Sequence, residues 1–179
     1  MARLLHLNGP PGIGKSTLAR RYADDHPGVL DLDIDQLRPL VGGWRDRFAE
    51  TGAIVRPLAV SMAGTHLRAG RDVVLPQFLG RLREIERFEA VARDSGAEFR
   101  EVVLMDTRDR CLERFARRDD DLPWVRQIRR HVAEQGGDAH LAAVYDALVD
   151  VVRRRPTATV LTSEADAVER TYQDLLAVL

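Results

Sequence analysis

Residues 9–17 read GPPGIGKST and contain the single lysine of the chain; the other 26 of its 27 basic residues are arginine. Gly9, Gly14, Lys15 and Ser16 satisfy G-x-x-x-x-G-K-[ST] in full, with the apolar run RLLHL (3–7) before them and a helix-compatible stretch after. That context limits the fold, because a strand must deliver the loop and a helix must leave it. The glycines permit backbone angles that turn a row of N–H groups toward one point, and the helix adds the positive end of its dipole. Lys15 supplies a compact charge on a flexible stem that reaches the β- and γ-phosphates, where the planar fork of arginine is too large and differently directed. Ser16 is a ligand for Mg²⁺. Gly9, Pro10, Pro11, Gly12, Ile13, Gly14, Lys15, Ser16 and Thr17 together form the expected phosphate site. Guanine-specific proteins read their base with an Asn/Thr-Lys-x-Asp motif, and the one lysine is already used, so ATP is the expected nucleotide.

The remaining pattern alternates strand and helix. A helix is expected over 15–25, a strand at VLDLD (29–33), then a helix end and mobile loop through RPLVGGWRDRFAETGA. Further helices are expected over 54–69, 80–95, 107–118, 124–135 and 139–153, with strands at DVVLP, FREVVLM and TATVL. Ser163 with Asp166 forms an N-cap signature for a closing helix, whose stripe is Ala165, Val168, Tyr172, Leu175, Leu176 and Leu179. Five strands separated by helices predict an α/β fold, a parallel sheet with helices on both faces. A chain of 179 residues without repeat or boundary is expected to be one domain, 1–179.

A formal net charge of −1 gives no general electrostatic case for nucleic acid. Cys111, the only cysteine, excludes an internal disulfide and reads as a small buried apolar residue. The N-terminus is not a signal peptide and no apolar run reaches membrane-spanning length, so a cytoplasmic protein without a membrane partner is expected. The five histidines (6, 26, 66, 131 and 140) show no metal-ligand spacing and read as structural or surface residues.

DLDIDQLRPL follows the second strand, so Asp33 and Asp35 are expected to emerge where strand ends line a ligand crevice. A carboxylate there can accept the proton of an attacking hydroxyl, or simply cap the helix that begins there. Arg38, three residues on, shares a helical face with Asp35 and is suited to hold an anionic or polar acceptor. Asp106 fits an hhhhD pattern, but the preferred reading is that it or Thr107 caps the next helix.

The loop followed by DIDQLR resembles the P-loop kinases that phosphorylate hydroxyls on small molecules or nucleic-acid ends. That group includes gluconate and shikimate kinases, chloramphenicol phosphotransferase and polynucleotide 5′-kinases. The resemblance implies a three-layer P-loop NTPase sandwich with a helical lid, here about 116–130. It also implies Asp35 as catalytic base and Asp33 as a second carboxylate near Mg²⁺ or the acceptor. Asp–x–x–Arg recurs in the polynucleotide kinases. Those usually end the third strand with an acidic residue, whereas Pro76 and Gln77 stand here. The tunicamycin-resistance type is more similar at that point, in VVLMDTRDRCLERFARR and in PWVRQI.

RFARRDDDLPWVRQIRR resembles the arginine-bearing flap of such kinases, with Arg117 and Arg118 ending one helix and Arg126, Arg129 and Arg130 on the next. Arginines of that kind stabilise charge on the equatorial oxygens and are worth ~10³-fold or more in rate. Arg117 and Arg118 are expected on the nucleotide, Arg126 in catalysis and Arg129 on the substrate. Trp44, after a Gly-Gly hinge, either stacks on the acceptor or packs in the core, and Gln77 points toward the same crevice. The resulting expectation is an ATP- and Mg²⁺-dependent kinase whose acceptor is a small-molecule hydroxyl, an antibiotic or related natural product among them. The rivals are a polynucleotide 5′-kinase and an ATP-binding protein that sequesters its ligand.

Overall fold

The computed structural model describes residues 1–117 and 122–179; Arg118 and the acidic run Asp119–Asp121 lie outside the described residues. Helices and strands alternate as β1 (Arg3–Asn8), α1 (Lys15–Asp25), β2 (Leu30–Asp31), a 3-10 helix (Ile34–Leu40), α2 (Phe48–Arg68), β3 (Val73–Leu75) and α3 (Leu82–Asp94). They continue as β4 (Glu98–Met105), α4 (Arg108–Arg117), α5 (Pro123–Glu134), α6 (Asp138–Arg153), β5 (Thr159–Thr162) and α7 (Val168–Ala177). The five strands form one parallel sheet in the order β2-β3-β1-β4-β5. The α/β class and the two helical layers are those expected.

Alternation along the strands builds both layers. Leu4, Val73 and Leu75 face α2 and α3, packing with Val55, Ala59, Ala63, Ile85 and Phe88. Leu5, Leu7, Val74, Val102 and Leu104 face α1, α4 and α7, packing with Leu18, Tyr22, Cys111, Tyr172 and Leu175. Each fully buried Leu or Val contributes roughly 1.5–3 kcal/mol, so the sheet is held from both sides. A small third cluster, Phe115, Val132 and Leu141, joins α4, α5 and α6. After β2 the chain returns to fill β3 beside β1, then crosses to β4. A ligand crevice therefore opens at the carboxyl ends of β1 and β3. Among the described residues no helix is long and apolar enough to cross a membrane.

The local expectations fail at three places. β2 is only Leu30–Asp31, because the chain turns into the 3-10 helix at Ile34, although Leu32 N–H still donates to Val74 O at 2.8 Å. α2 begins at Phe48 rather than 54, so residues 48–53 of the expected loop are helical. Gly52 lies in the stretch expected as a loop, and a Cβ there would stand 3.1 Å from the Arg38 guanidinium, so glycine leaves room for a buried side chain. α7 begins at Val168 with Ala167 at the N-cap and no side-chain cap; Ser163 Oγ instead donates to Ile13 O at 3.0 Å.

Candidate functional site

The loop 9–17 leaves the buried end of β1 with Gly9, Gly12 and Gly14 at φ 148°, 82° and 106°. A Cβ on Gly12 would come within 3.0 Å of Phe115 N, and one on Gly9 within 2.7 Å of Leu104 O. Here glycine serves close approach as much as backbone angle. Gly14 caps α1 without any side-chain partner, leaving the first-turn amides directed out of the helix start. Lys15 is buried, and its Nζ donates to Gly9 O at 2.8 Å and Pro10 O at 2.9 Å.

Two residues that sequence reasoning did not single out brace this loop. Asn8 accepts from Gly9 N and Leu79 N through Oδ1, at 2.9 and 3.1 Å, while its Nδ2 donates to Leu79 O at 3.1 Å. Arg114 Nη2 donates to Ile13 O at 2.8 Å, and its Nη1 donates to Ser163 O. One α4 side chain thus ties the loop to the end of β5. The available signal was an arginine inside the Cys111–Phe115 apolar stripe of a helix, where a solvated charge has no reason to sit.

The carboxylates converge as expected. Ser16 Oγ donates to Asp33 Oδ2 at 3.2 Å, and Asp33 Oδ1 accepts Asp35 N–H at 3.0 Å, so Asp33 is the N-cap of the 3-10 helix. Burial, then the charge of Asp35, pushes the Asp33 carboxyl above its ordinary range, against the pull of the Asp35 amide and the Ser16 hydroxyl. Asp35 does not cap; its Oδ1 accepts Arg38 Nε at 2.7 Å. Arg38 is buried, lies 4.0 Å over the Phe48 ring, and donates through Nη1 to Phe48 O at 2.5 Å and to Thr51 Oγ1 at 3.2 Å. It therefore pins the 3-10 helix to α2 through Nε and Nη1 while it borders the cleft.

Loop, carboxylates and pin open into a cleft of about 1010 Å³, walled by α2, the exit of β3, α5 and α6. Gln77 lines it, with its backbone carbonyl receiving His6 Nε2 at 3.0 Å. Trp44 does not: it is 5% exposed and lies outside the lining of this cleft, stacked instead under Arg45 at 4.9 Å. Arg117 lines the cleft from the end of α4, while Arg118 lies outside the described residues. Arg126 is exposed on α5, and Arg129 Nη2 donates to Ala116 O at 3.5 Å; neither borders the cleft. α5 turns the opposite face inward, presenting Trp124, Ile128, His131 and Val132. Asp106 Oδ1 accepts Thr107 N–H at 2.7 Å, and Thr107 Oγ1 accepts Arg110 N–H at 3.4 Å, as the capping reading requires. A second cavity of about 320 Å³, between α4 and the β5–α7 connection, shares Arg114, Arg117 and Ala165 with the cleft.

Residues 4–135 match the model of a family described as AAA domain. Among curated protein sequences, none matches the chain at a significant level. A gluconokinase from Sinorhizobium meliloti 1021 superposes with a TM-score of 0.64 at 17% identity, over 97% of this chain and 89% of that one. The Deinococcus radiodurans tunicamycin resistance protein gives 0.63 at 16%, over 99% and 95%. A deoxyadenosine kinase from M. mycoides gives 0.59 at 9%, over 98% and 97%. At these identities the likeness is one of fold: this is a P-loop kinase-like architecture.

Proposed function

The chain belongs to the AAA domain family, and from that premise we propose that it is an ATP- and Mg²⁺-dependent phosphotransferase acting on a hydroxyl of a small molecule. The observation that carries this reading is the chain of contacts Ser16–Asp33–Asp35 at the mouth of the phosphate loop, facing a second, acceptor-sized wall across the cleft. The loop amides and Lys15 hold the triphosphate, and the smaller cavity beside Arg114 takes the rest of the nucleotide. Ser16 Oγ and the Asp33 carboxylate are adjacent hard oxygen donors, and a buried carboxyl held above its ordinary range gains from a neighbouring cation, so the pair fits Mg²⁺. When bound, the ion offsets charge on the phosphate oxygens.

Asp35 receives the proton of the acceptor hydroxyl, while Arg38 fixes the orientation of that carboxylate as a positioning residue. Arg114 and Arg117 are the arginines that border the phosphate end. The Asp–x–x–Arg spacing that suggests a polynucleotide 5′-kinase is accounted for by the contacts Arg38 makes within the chain.

The test is transfer of label from γ-labelled ATP to a pool of hydroxylated natural products and, separately, to 5′-hydroxyl oligonucleotides. Label is expected in the small-molecule pool. Asp35→Asn is expected to keep ATP affinity nearly intact and to lower transfer by about 10²-fold or more. Tight ATP binding without transfer to either pool would favour the sequestering reading instead, and wild-type transfer by the variant would remove Asp35 as base.

A further inference from the structure

The acceptor half of the cleft is apolar where an acceptor would lie. Phe48, Phe78, Trp124, Ile128 and Val144 all line it and are half-buried. Some of the polar groups among them are engaged within the chain, while Gln77, Arg81 and His140 also line the cleft and Gln77 Oε1 is buried without a partner. Arg38 donates through Nε and Nη1 to Asp35, Phe48 O and Thr51, and Arg56 pairs with Glu84 at 3.6 Å; the His131 ring packs 5.6 Å from that of Phe48. The α5 arginines do not contribute: Arg130 pairs with Glu134 at 2.8 Å on the outer surface and Arg129 reaches back to α4. A sugar or polyol needs a donor or acceptor for each hydroxyl it buries, and an unmatched hydroxyl costs far more than an unmatched methylene.

Resting on the phosphotransfer reading above, we propose that the acceptor of this site is an amphipathic alcohol. Its body is apolar, a ring or alkyl chain, and its reactive hydroxyl lies at Asp35. The apolar body lies between Phe48 and Trp124, and the hydroxyl end meets the carboxylates where the wall turns polar. In the transfer the acceptor oxygen forms a bond to the γ-phosphorus as the bond from that phosphorus to the β–γ bridging oxygen breaks. ADP leaves, and the hydroxyl proton passes to Asp35.

The test compares 1-alkanols and ω-phenylalkanols of increasing length with glycerol, glucose and gluconate, using γ-labelled ATP. kcat/KM is expected to rise roughly fourfold per added methylene until the cleft is filled, with the polyols no better than the shortest alkanol. The same alcohols are titrated without ATP, following tryptophan fluorescence, with Trp124→Phe identifying which tryptophan reports. Length-dependent binding is expected, and Ile128→Ser is expected to flatten its slope. Length-dependent binding with no label transferred would support the acceptor class and overturn the phosphotransfer reading. Label entering gluconate or glycerol, without dependence on chain length, would overturn the acceptor class and leave phosphotransfer standing. Alcohols that neither bind nor accept label would also overturn it.

Discussion

Asp31, Asp33 and Asp35 stand at alternate positions where β2 gives way to the 3-10 helix; the charge of Asp33 weighs on Asp31 and that of Asp35 on Asp33. Asp31 carries the plainest consequence. Its side chain is 10% exposed, its Oδ1 is buried without a partner, and burial together with the charge of Asp33 pushes its carboxyl up to about 6. A folded-state value above the ordinary 3.8 means that folding favours the protonated form. The stability from this group is fully present below 3.8 and is lost as pH rises through about 6. Asp31→Asn is therefore expected to raise the thermal midpoint at pH 7.5, by about 2 kcal/mol of stability, and to make no difference near pH 4. Melting curves at the two pH values check this, and a variant less stable at pH 7.5 would refute it. At this scale the sequence was legible wherever the chemistry is contiguous. Gly9–Thr17 could be placed from spacing alone, and Asp33 near the metal only from the resemblance to P-loop kinases. Arg38 could not, because Phe48 and Thr51, which occupy it, lie in a segment with no helical signal of its own. Trp44 was ambiguous for a related reason: a tryptophan after two glycines looks the same in a pocket and in a packed turn.

Among the elements, α4 acts as the brace of the phosphate loop. Arg114 is mostly buried and satisfies carbonyls on both the loop and the residue after β5, while Phe115 packs into the α4–α6 cluster one position on. Arg114→Met removes the donors but keeps much of the apolar stem, leaving Ser163 Oγ alone on Ile13 O. It is expected to cost about 1–3 kcal/mol of stability and to weaken ATP binding by roughly tenfold, since the loop amides lose their fixed direction. Isothermal titration with ATP alongside a melt reads both effects, and a loss of stability with unchanged ATP affinity would show that the brace does not orient the loop. The elements themselves were legible where periodicity is long, as in α3, α5 and α6, whose bounds differ from the expected ones by a residue or two. The orientation of α5 was not. Arginines at i, i+3 and i+4 and the Trp124–Ile128–Val132 stripe each define a face, and periodicity alone does not say which one meets the cleft.

At the scale of the whole molecule, β1 is the axis on which both layers and both halves of the cleft depend, and His6 sits in its middle. The ring is fully buried, with Nε2 on Gln77 O and Nδ1 3.7 Å from Glu101 Oε1. Burial first, then the charges of Lys15 and Arg155, lowers its pKa to about 4. A depressed value means that only the unfolded chain takes up the proton as pH falls, so the stability from neutral His6 is intact above 6.5 and is lost toward 4. The loss is expected to be about 3 kcal/mol across that window. Burial raises Glu101, which acts in the opposite sense at the acid end. His6→Asn should remove the part of the acid slope that begins at 6.5; denaturant titrations at several pH values check this, and an unchanged slope would place the acid sensitivity elsewhere. The sheet was legible from the alternation of elements, and its order follows from few alternatives once the connections are right-handed. A histidine at its centre was not, because one polar residue in an apolar strand gives no sign of the carbonyl waiting for it across β3. The amide of Asn8, one position before Gly9, has a different consequence, in the ageing of the chain. Asn-Gly pairs lose ammonia when the following backbone nitrogen attacks the side-chain carbonyl carbon. Here three hydrogen bonds hold that amide buried at the start of the loop. The folded protein is thereby shielded, and each excursion to the unfolded chain exposes Asn8 to irreversible conversion.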